Sequence, residues 1–151
     1  MTEIHHSYSV EETLQFARKF SRRLKPGQRV GLVGELGAGK TVFAKGMLST
    51  LCGVPVEEIP SPTFTLIEEY PNSIYHVDLY RLDSIEDSKE LAWDELLSSQ
   101  AITLIEWPEK IKGLLDSCQF TVKLSREGVS SPELGGQARR IEMTERSTAY
   151  D

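Results

Sequence analysis

Between Gly34 and Thr41 the chain reads GELGAGKT, and these eight residues carry its clearest chemistry. Glycines at 34, 37 and 39 free the backbone to turn its N–H groups inward, and such a nest of donors accepts an anion with several oxygens. The spacing Gly34-x-x-x-x-Gly39-Lys40-Thr41 is the Walker A pattern. In that pattern the lysine ammonium reaches the β- and γ-phosphates of a nucleoside triphosphate, and the hydroxyl beside it ligates Mg²⁺. Lys40 and Thr41 take those roles here, with Glu35 to Ala38 as the body of the loop. A glycine-rich turn can also arise by chance, so the flanking elements decide. Val30, Leu32 and Val33 form a short apolar strand before it, and apolar residues from Thr41 to Leu51 recur at helical spacing up to Cys52-Gly53, with Pro55 beyond. The octet therefore lies between a strand and a helix N-terminus, where partial positive charge favours phosphate.

A Mg²⁺ ion needs further oxygen ligands, which such folds supply as an acid at the end of a second apolar strand. Two carboxylates qualify. Glu106 directly follows AITLI, and Asp78 closes the more polar run SIYHV. Both sit outside the carboxyl end of a strand, where open α/β sheets bind ligands, and either one alone would also serve as an ordinary surface carboxylate. Hydroxyls at Ser61, Thr63 and Thr65 fit a segment that senses the γ-phosphate as well as they fit a plain hydroxyl turn beside prolines. Trp107 is either a wall of the site or core at a strand end. His5, His6 and His76 have no ligand spacing and read as structural or exposed. Arg81 and the Arg139-Arg140 pair could reach phosphate or a partner, although solvated strand-end charge is the plainer role.

The elements that must position these groups are legible in outline. Ser9-Val10-Glu11-Glu12 is a capping box, and Val10, Leu14, Ala17, Ser21 and Leu24 continue it as a helix over about 10–24, closed by the turn Lys25-Pro26-Gly27. Prolines bracket the segment from Pro60 to Pro71 and exclude regular helix from its first half. A strand is expected over Ser73–Leu79, a helix over Ser84–Ser98, and a strand over Ala101–Trp107 that Pro108 halts. Gln119–Ser125 and Arg139–Glu145 alternate apolar and polar residues, as half-exposed strands do, and are expected at the sheet edge across a Gly/Ser/Pro-rich connection. Strand, helix, strand is the rhythm of an α/β fold. The expectation is one P-loop NTPase domain over residues 1–151, with a mostly parallel central sheet flanked by helices and antiparallel strands at its edge.

Charge and composition narrow the partners. Seventeen basic against twenty-three acidic residues give a formal net charge of -6, which repels polyphosphate backbones and argues against autonomous nucleic-acid binding. Any role on nucleic acid would run through a partner. Cys52 and Cys118 have no metal-ligand spacing and are too few for a disulfide framework, so free thiols in a reducing cytoplasm are expected. No apolar run approaches the roughly 20 residues of a membrane span, and MTEIHHSYSVEET has neither the basic start nor the apolar core of a signal peptide. A soluble, cytoplasmic protein is expected. Guanine-reading Asn-Lys-x-Asp and strand-following Asp-x-x-Gly motifs are absent, which favours adenine; no lid insertion, arginine cluster or arginine finger in cis is evident, so unaided turnover should be slow.

Four segments, GELGAGKT, SPTFTLIEEY, YHVDLYRL and LIEWPEK, occur in that order, and together they resemble the TsaE family, also known as YjeE, over roughly Ser9 to Arg140. The octet alone is shared by many NTPases; the other three segments are the specific ones. The resemblance implies a small ATPase of bacterial threonylcarbamoyladenosine tRNA modification, binding ATP and Mg²⁺ and hydrolysing ATP slowly unless TsaB and TsaD, which carry the transfer onto adenosine, are present. It implies that Leu36, Gly37, Ala38, Gly39, Lys40 and Thr41 hold the phosphates, that Thr41 and Glu106 ligate Mg²⁺, and that Asp78 is a further acidic residue of the active centre, so that Lys40, Asp78 and Glu106 are the catalytic set. Ser61 to Thr65 would be a switch-like segment, Trp107 would lie near the nucleotide, and adenine contacts would come from about Val10 and about Ala138. Two other function classes fit the octet. A nucleotide-gated binding module should dock its partner equally well with a non-hydrolysable analogue, and a small-molecule kinase should release ADP only with its acceptor present.

Overall fold

The computed structural model describes residues 1–60, 66–82, 100–131 and 136–146. The helix expected over Ser84–Ser98 and the hydroxyls of Ser61, Thr63 and Thr65 lie outside the described residues. Elements follow in the order β1 (Thr2–Ser7), α1 (Val10–Ser21), β2 (Arg29–Val33), α2 (Lys40–Cys52), β3 (Ile67–Tyr70), β4 (Ile74–Asp78), β5 (Ile102–Glu106), β6 (Phe120–Ser131) and β7 (Gly136–Glu145). They form one seven-stranded sheet in the order β1-β7-β6-β2-β5-β4-β3. The pairs β6–β2, β2–β5 and β5–β4 are parallel, while β1–β7, β7–β6 and β3–β4 are antiparallel. The expected α/β architecture, parallel at its centre and antiparallel at its flanks, is the one observed.

Helix α1 starts where the capping box places it. Ser9 Oγ accepts the Glu12 N–H at 3.1 Å and in turn donates to the Glu12 carboxylate at 3.3 Å. The helix buries Leu14, Ala17 and Phe20 and ends at Ser21, a turn before Leu24. Helix α2 ends at Cys52, where Gly53 takes a left-handed φ of 71° and its N–H bonds Ser49 O. Both helices pack on one face of the sheet, sharing a core with Val30, Leu32, Leu104, Phe120, Val122 and Ile141. Tyr75, Val77 and Ile105, which alternate to the opposite face, form a second core with Leu79, Leu114 and Cys118. Strands β4 and β5 are therefore covered on both faces, as parallel strands usually are.

Two edge assignments need correcting. Gln119–Ser125 and Arg139–Glu145 belong to β6 and β7, and neither is an edge: β6 pairs with β2 and β7, and β7 pairs with β6 and β1. Their alternation does match the burial, since Phe120, Val122 and Leu124 are buried while Lys123 and Arg126 are exposed or half-exposed. Alternation reports a half-solvated face, however, and says nothing about which backbone edges are paired. The position beyond β7 is taken by Thr2–Ser7, whose single aliphatic residue, Ile4, gives almost no strand signal. Part of the expected connection after Ser125 is also strand, because β6 runs on to Ser131 and β7 begins at Gly136 across a bulge between Arg126 and Ser130. Both cysteines are free thiols, Cys118 buried and Cys52 half-buried. No helix among the described residues is long and apolar enough to cross a membrane.

Candidate active site

Strand β2 delivers the chain to Gly34, whose left-handed φ of 156° and tight approach to β6 leave no room for a side chain: a Cβ there would overlap the Leu124 carbonyl. The loop then turns through Gly37 and Gly39, at φ 80° and 110°, into α2. Gly39 is the N-cap of α2 and brings no side-chain acceptor to the N–H groups of its first turn. The Lys40 ammonium folds back over the loop, donating to Gly34 O at 2.5 Å and Glu35 O at 2.9 Å, and lies 4.1 Å from the centroid of the Trp107 ring. From outside, Arg126 on β6 donates to Leu36 O at 3.1 Å and Arg139 on β7 to Gly37 O at 3.3 Å.

The acidic half comes from the carboxyl ends of adjacent parallel strands. Asp78 closes β4, Glu106 closes β5, and the register places them opposite each other. Glu106 is buried; its Oε1 accepts the Thr41 hydroxyl at 3.4 Å, and its Oε2 lies 2.7 Å from Nε2 of the buried His76. Asp78 accepts the Tyr80 N–H at 3.0 Å. Trp107 follows Glu106 with a left-handed φ of 61°, an uncommon conformation for a bulky residue, which turns the ring back over the cleft between Lys40 and Tyr80.

Leu36, Gly37, Gly39, Lys40, Thr41, Asp78, Glu106 and Trp107 line a single cleft of about 250 Å³, so the expected phosphate and magnesium groups converge. Ala38 is buried beneath the loop. Val10 and Ala138 do not line the cleft: Val10 stands exposed at the start of α1, and Ala138 is buried in β7. Ala138 directly precedes Arg139, which reaches Gly37, and Val10 follows Ser7, which pairs with Arg139 in the β1–β7 ladder. A roomier cavity of about 440 Å³ opens between β1 and α1, but Phe16, Phe20, Ile4 and Met143 dominate its walls and its Arg23 is paired with Glu3 at 3.0 Å. Size alone does not make that cavity the site, since it has no phosphate loop.

The family profile described as threonylcarbamoyl adenosine biosynthesis protein TsaE matches residues 7–134. The chain belongs to the TsaE family. It is 46% identical over 119 residues to the tRNA threonylcarbamoyladenosine biosynthesis protein TsaE of Rickettsia bellii, covering 77% of this chain and 81% of that protein. It is 36% identical to the protein of that name from Bacillus subtilis over 127 residues, 82% of this chain and 78% of the relative. The crystal structure of Bacillus subtilis YdiB superposes with a TM-score of 0.70 at 28% identity, covering 97% of this chain and 87% of that one.

Within this TsaE fold, burial is the largest influence on the charged groups of the cleft. Burial pulls the Lys40 ammonium below the ordinary lysine range, and that effect outweighs the opposing pull of Glu106, Glu109, Asp78 and Glu35. Burial likewise raises the Asp78 carboxyl; the Glu106 carboxylate adds to this, while the Tyr80 N–H and Lys40 oppose it. Arg139 is lowered by burial and then by the like charge of Arg126.

Three contributors to the site are not evident from sequence. His76 has no ligand spacing, yet it lies two residues before Asp78 and therefore on the same strand face. Tyr80 and Arg126 carry no signal of their own. Each becomes visible only once β4 is paired with β5, or β6 is laid beside the loop.

Proposed function

We propose that this chain binds ATP with Mg²⁺ and hydrolyses it slowly, as an accessory component of the cytoplasmic machinery that forms threonylcarbamoyladenosine in tRNA, acting with TsaB and TsaD. Family membership supports the pathway. The observation that carries the nucleotide reading is the convergence of the loop, Lys40, Thr41, Asp78 and Glu106 on one cleft.

The residues present fit the group. Leu36 to Thr41 offer backbone donors at a helix N-terminus, and the buried Lys40 holds its ammonium over that loop on Gly34 O and Glu35 O. Thr41 and Glu106 are hard oxygen donors 3.4 Å apart, with the Asp78 carboxylate on the neighbouring strand. Among the described residues no cluster of three His, Cys, Asp or Glu forms a metal site. Magnesium characteristically takes one or two protein oxygens plus phosphates and water, so this sparse set suits it. Bound with ATP, it would spread the charge on the β- and γ-oxygens. Lys40 would hold the same oxygens, Thr41 and Glu106 would anchor the ion, and Asp78 would orient the attacking water. Trp107 and Tyr80 would shield that side of the cleft from bulk solvent. Val10 and Ala138 would mark the adenine side from outside the cleft.

With a net charge of -6, the chain has no broad attraction for RNA, so tRNA would meet it only through TsaB and TsaD. The test is ATP hydrolysis by the purified chain, alone and with TsaB plus TsaD, with and without tRNA. A low rate that rises with the partners is expected. Partner docking that proceeds equally with a non-hydrolysable analogue would favour the gated-module reading, and ADP release driven only by a small acceptor would favour a kinase.

A further inference from the structure

His76 stands against the carboxylate on which the nucleotide reading depends. Its Nε2 is 2.7 Å from Glu106 Oε2, with the two residues only 7% and 2% exposed. The other carboxylate oxygen, Oε1, is 3.4 Å from the Thr41 hydroxyl. Register explains how they meet: on the parallel β4–β5 pair His76 lies opposite Leu104 and Asp78 opposite Glu106, so His76 reaches Glu106 along the diagonal of one face.

The terminal torsion of a glutamate is broad, so the plane of its carboxylate is set by what each oxygen touches. In Glu106 one oxygen is occupied by an imidazole and the other is turned to Thr41. A plain core role explains this less well. Ile74, Tyr75 and Val77 are the buried apolar residues of β4, and replacing a buried polar pair by packed apolar side chains is often neutral or stabilising. A histidine retained there makes sense if Glu106 must stay polar for another reason.

We propose that His76 is a positioning residue: it donates Nε2–H to Glu106 Oε2 and so holds Oε1 beside Thr41, fixing the oxygen pair that takes Mg²⁺ with the nucleotide. The proposal rests on the nucleotide reading of the cleft. Groups that orient a metal-ligating side chain in this way typically govern about 10- to 100-fold in metal affinity or activity.

The test uses the full chain with His76→Gln, His76→Asn and His76→Leu. The glutamine amide reaches the place of Nε2, the asparagine amide stops short of it, and leucine has no donor. Binding of a non-hydrolysable ATP analogue is measured by calorimetry in excess EDTA and over a Mg²⁺ series, alongside thermal unfolding of each free variant. The Mg²⁺-dependent gain in affinity should fall by about 10-fold in the Asn and Leu variants and stay within about 3-fold of wild type in the Gln variant, with binding in EDTA unchanged in all. If the Leu variant does not fold, Gln against Asn still decides, since both are amides and differ in reach. A gain unchanged in Asn, or lost equally in Gln and Asn in step with thermal stability, would overturn the role and leave His76 a structural residue. Absence of any Mg²⁺-dependent gain in the wild type would remove the nucleotide reading and this role together.

Discussion

The Lys40 ammonium lies 4.1 Å from the centroid of the Trp107 ring while it donates to the carbonyls of Gly34 and Glu35. A cation so placed shares its charge between an aromatic face and two backbone dipoles, all of which compete with a phosphate for it. The chain holds Trp107 at a φ of 61° to achieve this, a conformation that costs on the order of 1–2 kcal/mol for a residue with a Cβ. Trp107 is thus a built-in reporter of what Lys40 contacts. With Trp93→Phe leaving it the sole tryptophan, Trp107 emission should change saturably on titration with ATP. Emission that stays flat while calorimetry detects binding would show that Lys40 does not leave the ring.

Lys40 should matter more for affinity than any other side chain of the loop. Hydrogen bonds from a charged donor contribute roughly 1.5–3 kcal/mol, so Lys40→Ala should weaken nucleotide binding by about 10- to 100-fold. Calorimetric titration of both proteins measures this. Equal affinities would mean that the backbone N–H groups and the helix N-terminus hold the ligand alone.

Gly46 lies where α2 crosses α1, and a Cβ there would stand 2.8 Å from Ala17 Cβ and 3.3 Å from Leu14. Alanine is favoured over glycine in a helix interior by up to about 1 kcal/mol, but overpacking a close contact costs about 1–3 kcal/mol. The second effect should win. Gly46→Ala is expected to lower the melting temperature by roughly 2–6 °C. Adding Ala17→Gly should recover part of the loss, a favourable coupling that a double-mutant cycle resolves.

Burial raises the Cys118 thiol from 9.0 to about 11, against the opposing pull of Arg29, Arg146 and a hydrogen bond from Ser117. The folded chain therefore keeps a proton that the unfolded chain loses. Its contribution is complete below pH 9 and is lost as pH rises towards 11, with about 2 kcal/mol as the scale of the effect. Urea unfolding of wild type and Cys118→Ala at pH 8, 9.5 and 10.5 should show the wild type losing more stability with each step. Parallel profiles would place the alkaline sensitivity elsewhere.

Most of the phosphate side is legible in the sequence because its signals are local. Gly34 to Thr41 have fixed spacing, the Ser9 capping box sits within four residues, and the strand-like runs ending at Asp78 and Glu106 need no knowledge of their neighbours. What stays hidden depends on pairing between distant segments. Thr2–Ser7 becomes a strand because β7 offers it an open edge, not because its residues favour one. The same holds for β6, whose alternation cannot reveal that β2 lies on its other side. His76 looks like an isolated histidine until the β4–β5 register brings Glu106 within 2.7 Å. Arg126 and Arg139 are 13 positions apart in sequence yet face each other in the β6–β7 ladder and reach the same loop.

On the proposed function, Lys40 and Thr41 would engage ATP and Mg²⁺ on one side of the cleft, and Asp78 and Glu106 would act on them from the other. The most direct test is Mg²⁺-dependent ADP release by the wild type, Asp78→Ala and Glu106→Ala, each with its nucleotide affinity measured in parallel. Asp78→Ala should keep affinity within about 10-fold, Glu106→Ala should lose no more than the Mg²⁺-dependent part of it, and both should lose turnover by at least about 100-fold, as expected when groups that act on the transition state are removed. Unimpaired hydrolysis in both variants would contradict the account, because the acidic half of the cleft would then have no part in the chemistry.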